Sequence, residues 1–422
     1  MKLLQHARRS RFIRHNSIFF IGSAAVGALN YLYYPVMGRL LSPASFGEVQ
    51  TLVSLFLQIT IFLSVLGLVT INIVTNYRDD ETRNVVILEF EKLALAFGIV
   101  LFISTAIFQN SLKHFLQFNS TLPFLLLMAA LVVTVPLTFR GAFLRGQQRF
   151  GQASLVNILS AAGKLVLAAG FVVVGYGSAG AIGGLVGAQI VACVCAVRWA
   201  TRSGLRVPAT HRRWRLPNIR TVLPELRYGG IVLITSLAIT LQYSIDVVVI
   251  KHYFDPRTAG LYAAVAGVAR ILFFLTASIA LVLMPMARLD APAADNRRLL
   301  VKSIGLLSAV GLPVLALFVW APNQVVTLLM GHQYVGVSQL LPRLSIAIFI
   351  ISLVNLLTTY YLALRRAAIA LIAGLGALVT YVFIAVHHGS PQAIVNSLLF
   401  GSITMLVILG VWMVSQYKRE FV

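Results

Sequence analysis

Hydrophobic residues occupy most of the chain in long runs that short polar segments separate. A helix needs roughly 20 apolar residues to cross a bilayer, and twelve runs come close to that length. They predict membrane-spanning helices at 17–37, 49–74, 92–108, 122–139, 154–174, 179–197, 229–250, 261–285, 299–320, 340–363, 367–386 and 393–414. The third run is the shortest, and its helix can extend back through Glu89 and Glu91. The pattern therefore predicts an all-α polytopic membrane protein.

The longest polar segment divides these runs into two groups of six. We expect an N-terminal six-helix lobe over 1–197, a basic cytoplasmic linker over 198–228 and a C-terminal six-helix lobe over 229–422. The linker contains eight arginines and three prolines. It is compatible with a basic helix near 218–227 on the anionic inner leaflet, and equally with a flexible tether.

The two halves share a repeated segment. VMGRLLSPASFGEVQTLVSL joins the first two predicted spans, and VVIKHYFDPRTAGLYAAVAG joins the seventh and eighth. With one inserted residue, Pro43 aligns with Pro256 and Gly47 with Gly260. We interpret the proline as breaking the helix and the glycine as letting the chain re-enter tightly. Two copies in the same orientation predict a parallel repeat around a central cavity.

Charge distribution changes the picture in one respect. Charged residues make up 11% of the chain, against about 25% in soluble domains, yet the net charge is +22. The arginines and lysines lie mostly on alternating loops, which is a topology signal and not that of a nucleic-acid partner. This bias places both termini in the cytoplasm, and it favours contact with anionic membrane lipids.

Three segments resemble those of a known family: RLLSPASFGEVQTL, SIDVVVIKHYFDPRTAGLYAAV and FLRGQQRFGQAS. They look like polysaccharide biosynthesis proteins, the O-antigen and capsule flippases of the multidrug/oligosaccharidyl-lipid/polysaccharide exporter (MOP) superfamily. The resemblance implies movement of an undecaprenyl-pyrophosphate-linked oligosaccharide across the inner (plasma) membrane, for surface polysaccharide biosynthesis. It also implies a polysaccharide polymerase and a chain-length regulator as further partners.

Lys164 marks a candidate substrate site in the fifth span. Asn157, Ser160 and Lys164 follow at i, i+3 and i+7, so they share one helix face. A polar stripe on an apolar span indicates a wet or protein-lined cavity, although the lysine can also extend toward the membrane surface. Asn30 in the first span is a further cavity candidate, with an interhelical hydrogen bond as the alternative.

Asp246 and Arg270 are charges near the middle of spans seven and eight. Asp246, with Gln242 one turn before it, suits a proton or sodium site or a gate. The alternative is a structural ion pair with Arg270, Lys164 or Lys251. Arg270 lies on a face of small residues, which either lets helices approach or lines the cavity, where a guanidinium would bind phosphate.

Other function classes leave different patterns. A cation-coupled drug or metabolite exporter of a twelve-helix fold stays open, because helices do not reveal substrate size. A membrane enzyme needs catalytic residues on a sizeable outer loop, and the longest one predicted, 321–339, offers only His332. We therefore expect a transporter and not an enzyme, without a cofactor or a metal cluster.

Overall fold

The protein is an all-helical chain in its computed structural model, which describes residues 22–23, 25–77, 79–206, 219–287 and 292–420. No strand occurs in these ranges. Residues 25–40 form the helix α1. The others are α2 (Pro43–Asn76), α3 (Asp80–Phe115), α4 (Leu122–Gly146), α5 (Phe150–Phe171), α6 (Gly177–Arg202), α7 (Ile219–Tyr253), α8 (Pro256–Ala269), α9 (Ile271–Met286), α10 (Ala293–Trp320), α11 (Pro322–Leu329), α12 (Leu341–Ala363), α13 (Ala368–Val386) and α14 (Pro391–Glu420).

The helices account for the predicted spans. Nine helical stretches within the described ranges are long and apolar enough to cross a membrane. One of them, Phe150–Arg202, contains both α5 and α6. A π-helical break separates these two helices, and Gly175 and Gly177 have positive φ there. With α5 and α6 counted separately, and with α1 and α3 added, the described helices correspond to twelve spans. The helix predicted near 218–227 is the beginning of α7, while 207–218 lies outside the described residues.

The surface of α3 shows why these helices suit a membrane. Its large side chains Phe97, Val100, Ile103 and Ile107 are all more than half exposed. They recur every three or four residues, so they form one apolar stripe along the helix. Such a stripe is unfavourable in water and favourable against lipid. As the sequence suggested, α3 also extends back beyond Glu89 to Asp80.

The chain forms two compact units. Unit 1 comprises Met1–Leu41 and Ile59–Gly229, and unit 2 comprises Ser42–Gln58 and Gly230–Val422. The start of α2 thus belongs to unit 2. There Phe46 packs edge-on against the buried ring of Tyr334, at 6.0 Å between centroids, and the Gln58 amide donates to Ser244 Oγ over 3.1 Å.

Both copies of the repeated segment are helix starts. Pro256 is in the first turn of α8, where Asp255 caps the helix by accepting from the backbone N–H groups of Arg257 and Thr258 at 3.0 Å. Hydrogen bonds from Thr258 and from these N–H groups hold the pKa of Asp255 below its usual value. Ser42 accepts from the Ser45 N–H in the same way before Pro43. A first-turn proline has no N–H to satisfy, so it initiates these helices. The preceding helices end at residue 40 and at Tyr253, so the predicted break before each proline is present.

The aligned glycines make a close helix contact within unit 2. Gly47 and Gly260 lie inside α2 and α8, and neither has a positive φ. A Cβ on Gly47 would lie 2.8 Å from the Gly260 Cα, and one on Gly260 would overlap the carbonyl oxygen of Pro43. The two glycines therefore allow the backbones of α2 and α8 to approach closely. This corrects the interpretation that they form a tight turn.

We expect Gly260→Ala to destabilise the protein. Alanine normally stabilises a helix relative to glycine by about 1 kcal/mol, but here its methyl group collides with backbone and overpacking costs about 1–3 kcal/mol. Gly230→Ala is the matched control, because nothing lies within 4 Å of a Cβ at that position of α7. Thermal melting of the detergent-purified variants compares them, and equal melting temperatures would contradict the contact.

Candidate functional site

Lys164 is held between α5 and α1 in unit 1. Its Nζ donates to the Asn30 side-chain oxygen over 2.6 Å. The ammonium group also lies over the ring of Tyr33, 4.5 Å from the centroid. Tyr33 is buried, and its hydroxyl donates to the Ala181 carbonyl of α6 at 3.5 Å. The structure thus brings together two of the predicted site residues, Lys164 and Asn30, and adds Tyr33.

Both partners of Lys164 are neutral. Within the described ranges its polar contacts are Asn30 and the Tyr33 ring, and none of the ion pairs involves it. An amide oxygen and an aromatic face orient an ammonium group without cancelling its charge. A half-buried positive charge therefore remains in the middle of α5, in an arrangement that could bind an anion.

The carboxylates of α3 neutralise other cations of unit 1. Ion pairs join Asp80 to Arg83, Glu89 to Lys92 and Glu91 to Arg140. The last pair joins α3 to α4 at 3.1 Å. Each of these side chains has a neighbour of opposite charge, and the buried members of the set, such as Glu89 and Glu91, need one for stability. This contrast distinguishes Lys164 from these three cations.

The other two residues of the α5 stripe point elsewhere. Ser160 is half-buried and donates to Gln189 Oε1 of α6 at 3.4 Å. Asn157, one turn before it, is exposed. The structure therefore does not gather Asn157 and Ser160 around Lys164 through any hydrogen bond. A shared helix face is about 100° wide, which is enough for its members to meet different neighbours.

Asp246 and Arg270 meet in unit 2. Arg270 Nη2 donates to Asp246 Oδ1 at 2.7 Å, and the Tyr262 hydroxyl donates to the other carboxylate oxygen at 2.8 Å. All three residues are at least 95% buried. Arg270 lies at the junction between α8 and α9, where the predicted eighth span is interrupted. The ion pair therefore connects α7 to this junction. Three basic residues were possible ion-pair partners of Asp246, and the structure pairs it with Arg270.

Gln242 lies one turn before Asp246 on α7. Its Nε2 donates to Thr380 Oγ1 of α13 at 3.1 Å. Its Oε1 is buried and has no hydrogen-bond partner. A buried carbonyl oxygen without a donor is costly, and it is also a good ligand for a hard cation. Gln242 and Asp246 thus place carboxamide and carboxylate oxygens on the same helix face.

Sequence reasoning missed the two tyrosines that complete these clusters. Tyr33 belongs to the run Tyr31, Tyr33 and Tyr34, which is equally typical of an aromatic belt at the membrane surface. Tyr262 belongs to the Gly-x-Tyr segment after Pro256. Tyrosine combines an apolar ring with one hydroxyl that needs a partner when buried, so a tyrosine near a predicted intramembrane charge is a usable signal.

The fold is that of the transporters and flippases of the MOP superfamily. An inward-facing multidrug resistance MATE family transporter of that superfamily matches with a TM-score of 0.74 and 14% identity, covering 93% of this chain and 95% of its own. The lipid II flippase MurJ in an inward closed conformation matches with a TM-score of 0.75 and 11% identity, covering 94% and 87%. An outward-facing multidrug resistance MATE family transporter matches with a TM-score of 0.67 and 16% identity, covering 96% of this chain and 95% of its own.

The sequence narrows this class to one family. Residues 14–288 match the family model described as polysaccharide biosynthesis protein. The chain therefore belongs to the polysaccharide biosynthesis protein family. A search of curated proteins returned no match.

Proposed function

We propose that the protein is a flippase that moves an undecaprenyl-pyrophosphate-linked oligosaccharide across the inner membrane by alternating access. The observation that carries this proposal is the charge of Lys164, which neutral partners hold within a membrane-spanning helix. Family membership and the MOP-type fold support it. The polymerase and the chain-length regulator remain proposed partners, and both termini remain proposed to be cytoplasmic.

The physical problem of such a substrate is its headgroup. A pyrophosphate and its sugars cannot enter hydrocarbon unaided, since unpaired charge is very costly there, whereas the polyprenyl tail can stay in lipid. Lys164 would provide the opposite charge for the pyrophosphate. Asn30, held by the same hydrogen bond, would donate its amide group to a phosphate or sugar oxygen.

Ion coupling is proposed for unit 2. The membrane potential, which is negative inside, is worth about 2.3 kcal/mol per charge per 100 mV, so it favours the outward movement of an anion. Entry of protons or sodium ions down their own gradients would add to this driving force. Asp246 and the unpartnered Gln242 oxygen are the proposed coupling ligands, and an arriving cation would have to displace or share Asp246's contact with Arg270.

A cation-coupled exporter of drugs or metabolites is the alternative. The observation in its favour is the fold similarity to MATE transporters, which covers at least 93% of this chain in two conformations. A common fold does not determine the substrate. Susceptibility to toxic cations therefore needs to be measured beside polysaccharide export.

Complementation tests the proposal. A flippase-null strain that makes this protein's own lipid-linked oligosaccharide is supplied with the wild-type gene, and surface polysaccharide and drug susceptibility are measured. We expect surface polysaccharide to be restored with unchanged drug susceptibility. Drug resistance without surface polysaccharide, at normal protein level, would replace the flippase by the exporter.

A further inference from the structure

Arg145 is a second half-buried cation of unit 1 that the mechanism above does not use. It lies in the last turn of α4, at the end predicted to face the cytoplasm. Within the described ranges, none of the ion pairs or hydrogen bonds involves its guanidinium. Arg140, five residues earlier, is paired with Glu91. Of these two arginines of α4, Arg140 is thus neutralised by a carboxylate of the described residues and Arg145 is not.

Gly67 makes room for this guanidinium on α2. A Cβ at Gly67 would lie 3.2 Å from Thr138 Cγ2, 3.9 Å from Ala142 Cβ and 3.8 Å from Arg145 Nη2. These α4 residues lie along one helix face that packs on the glycine. The Arg145 side chain therefore extends beside α2 at a point where α2 has no side chain.

The guanidinium is both desolvated and accessible. Arg145 has intermediate exposure. The Nε atoms of Arg140 and Arg270 are buried and have no hydrogen-bond partner, whereas no nitrogen atom of Arg145 is in that situation. A partly desolvated guanidinium binds oxyanions strongly through paired N–H groups. Arg270 has the same group, but Asp246 already engages it. Arg145 is thus the better placed of the two for an incoming phosphate.

The position of Arg145 relative to Lys164 suggests an order of contact. The helix α5 begins at Phe150, directly after α4 ends. Lys164 follows further along α5, about 20 Å deeper at 1.5 Å per residue. One cation therefore lies at the membrane surface and the other inside the membrane, both in unit 1.

We infer that Arg145 is an anion-binding residue that receives the diphosphate group of the lipid-linked substrate before the group reaches Lys164. The inference rests on the proposed function for the identity of the substrate. The chemistry recognised is a diphosphate group, esterified to the lipid and to the sugar, at the end of α4. Arg145 acts as a binding residue there and takes part in no covalent step.

Binding by the purified full-length protein tests this assignment. The wild type, Arg145→Gln, Arg145→Lys and Arg149→Gln are titrated in detergent with undecaprenyl diphosphate, inorganic pyrophosphate and phosphatidylglycerol, with native mass spectrometry as readout. Arg149 is the matched control because it lies four residues further on and is exposed. We expect Arg145→Gln to weaken undecaprenyl diphosphate binding about 10- to 100-fold, the range for loss of a charged hydrogen-bonding group. Arg145→Lys should lose less, and Arg149→Gln should bind like the wild type.

The three ligands separate the ways in which the inference can fail. Equal binding of undecaprenyl diphosphate by the wild type and Arg145→Gln would overturn it. Equal dependence of phosphatidylglycerol binding on Arg145 would make the residue a general lipid anchor and overturn the substrate assignment. If Arg145→Gln does not fold, wild-type affinity in Arg145→Lys would overturn the bidentate contact. Dependence on Arg145 in a protein that fails complementation would retain the site while removing the proposed function.

Discussion

Replacing Lys164 by alanine is expected to reduce export of surface polysaccharide strongly while leaving the protein in the membrane. The variant removes a charge that has neutral partners in the described structure, so no carboxylate is left unpaired. Loss of a charged hydrogen bond costs about 1.5–3 kcal/mol, which predicts at least a 10- to 100-fold lower rate of headgroup transfer. Surface polysaccharide in the complemented null strain is the measurement, with membrane protein level determined by immunoblot.

Two further variants make this expectation specific. Lys164→Arg retains the charge and should recover part of the export. Lys302→Ala removes an exposed lysine of α10 and should leave export unchanged. Full export by Lys164→Ala at wild-type protein level would exclude the lysine as a binding residue. Equal loss in Lys164→Arg and Lys164→Ala would show that shape, and not charge, matters at this position.

The second large effect is expected at the Asp246–Arg270 pair. Removal of one partner leaves the other charge buried in unit 2, which costs about 3–5 kcal/mol. Asp246→Ala and Arg270→Ala should each lower the melting temperature and the yield of folded protein. The double variant should recover most of that loss, because apolar replacement of both charges is often close to neutral. Tyr262→Phe removes one hydrogen bond to the carboxylate, so we expect a smaller cost of about 1.5–3 kcal/mol.

Export by these variants then separates two roles of the pair. If Asp246 binds the coupling ion, the double variant should fold and not export. A double variant that folds and exports normally would limit the pair to holding α7 against the junction of α8 and α9. Additive losses in the two single variants and the double variant would contradict the ion pair itself.

The candidate site was only partly predictable. The intramembrane charges Lys164, Asp246 and Arg270 were identified because a charge in an apolar run is rare and costly. Their neighbours were harder to assign, since Asp246 had three basic candidates and sequence patterns contain no distance to any of them. Arg145 lies beyond the predicted span 122–139, because the apolar run ends there while the helix continues to Gly146. The length of an apolar run measures the part in hydrocarbon and not the end of the helix.

The sequence by itself determined the helical class, the approximate spans and the internal repeat, because bilayer thickness and helix rise leave little freedom once apolar runs are long enough. It also located the chain's intramembrane charges. Only the tertiary structure decided that Lys164 meets Asn30 and Tyr33, that Asp246 meets Arg270 and Tyr262, and that Gly47 and Gly260 bring α2 against α8. The reason is physical: helix periodicity determines the face on which a side chain lies, whereas the partner across that face depends on how separate helices pack.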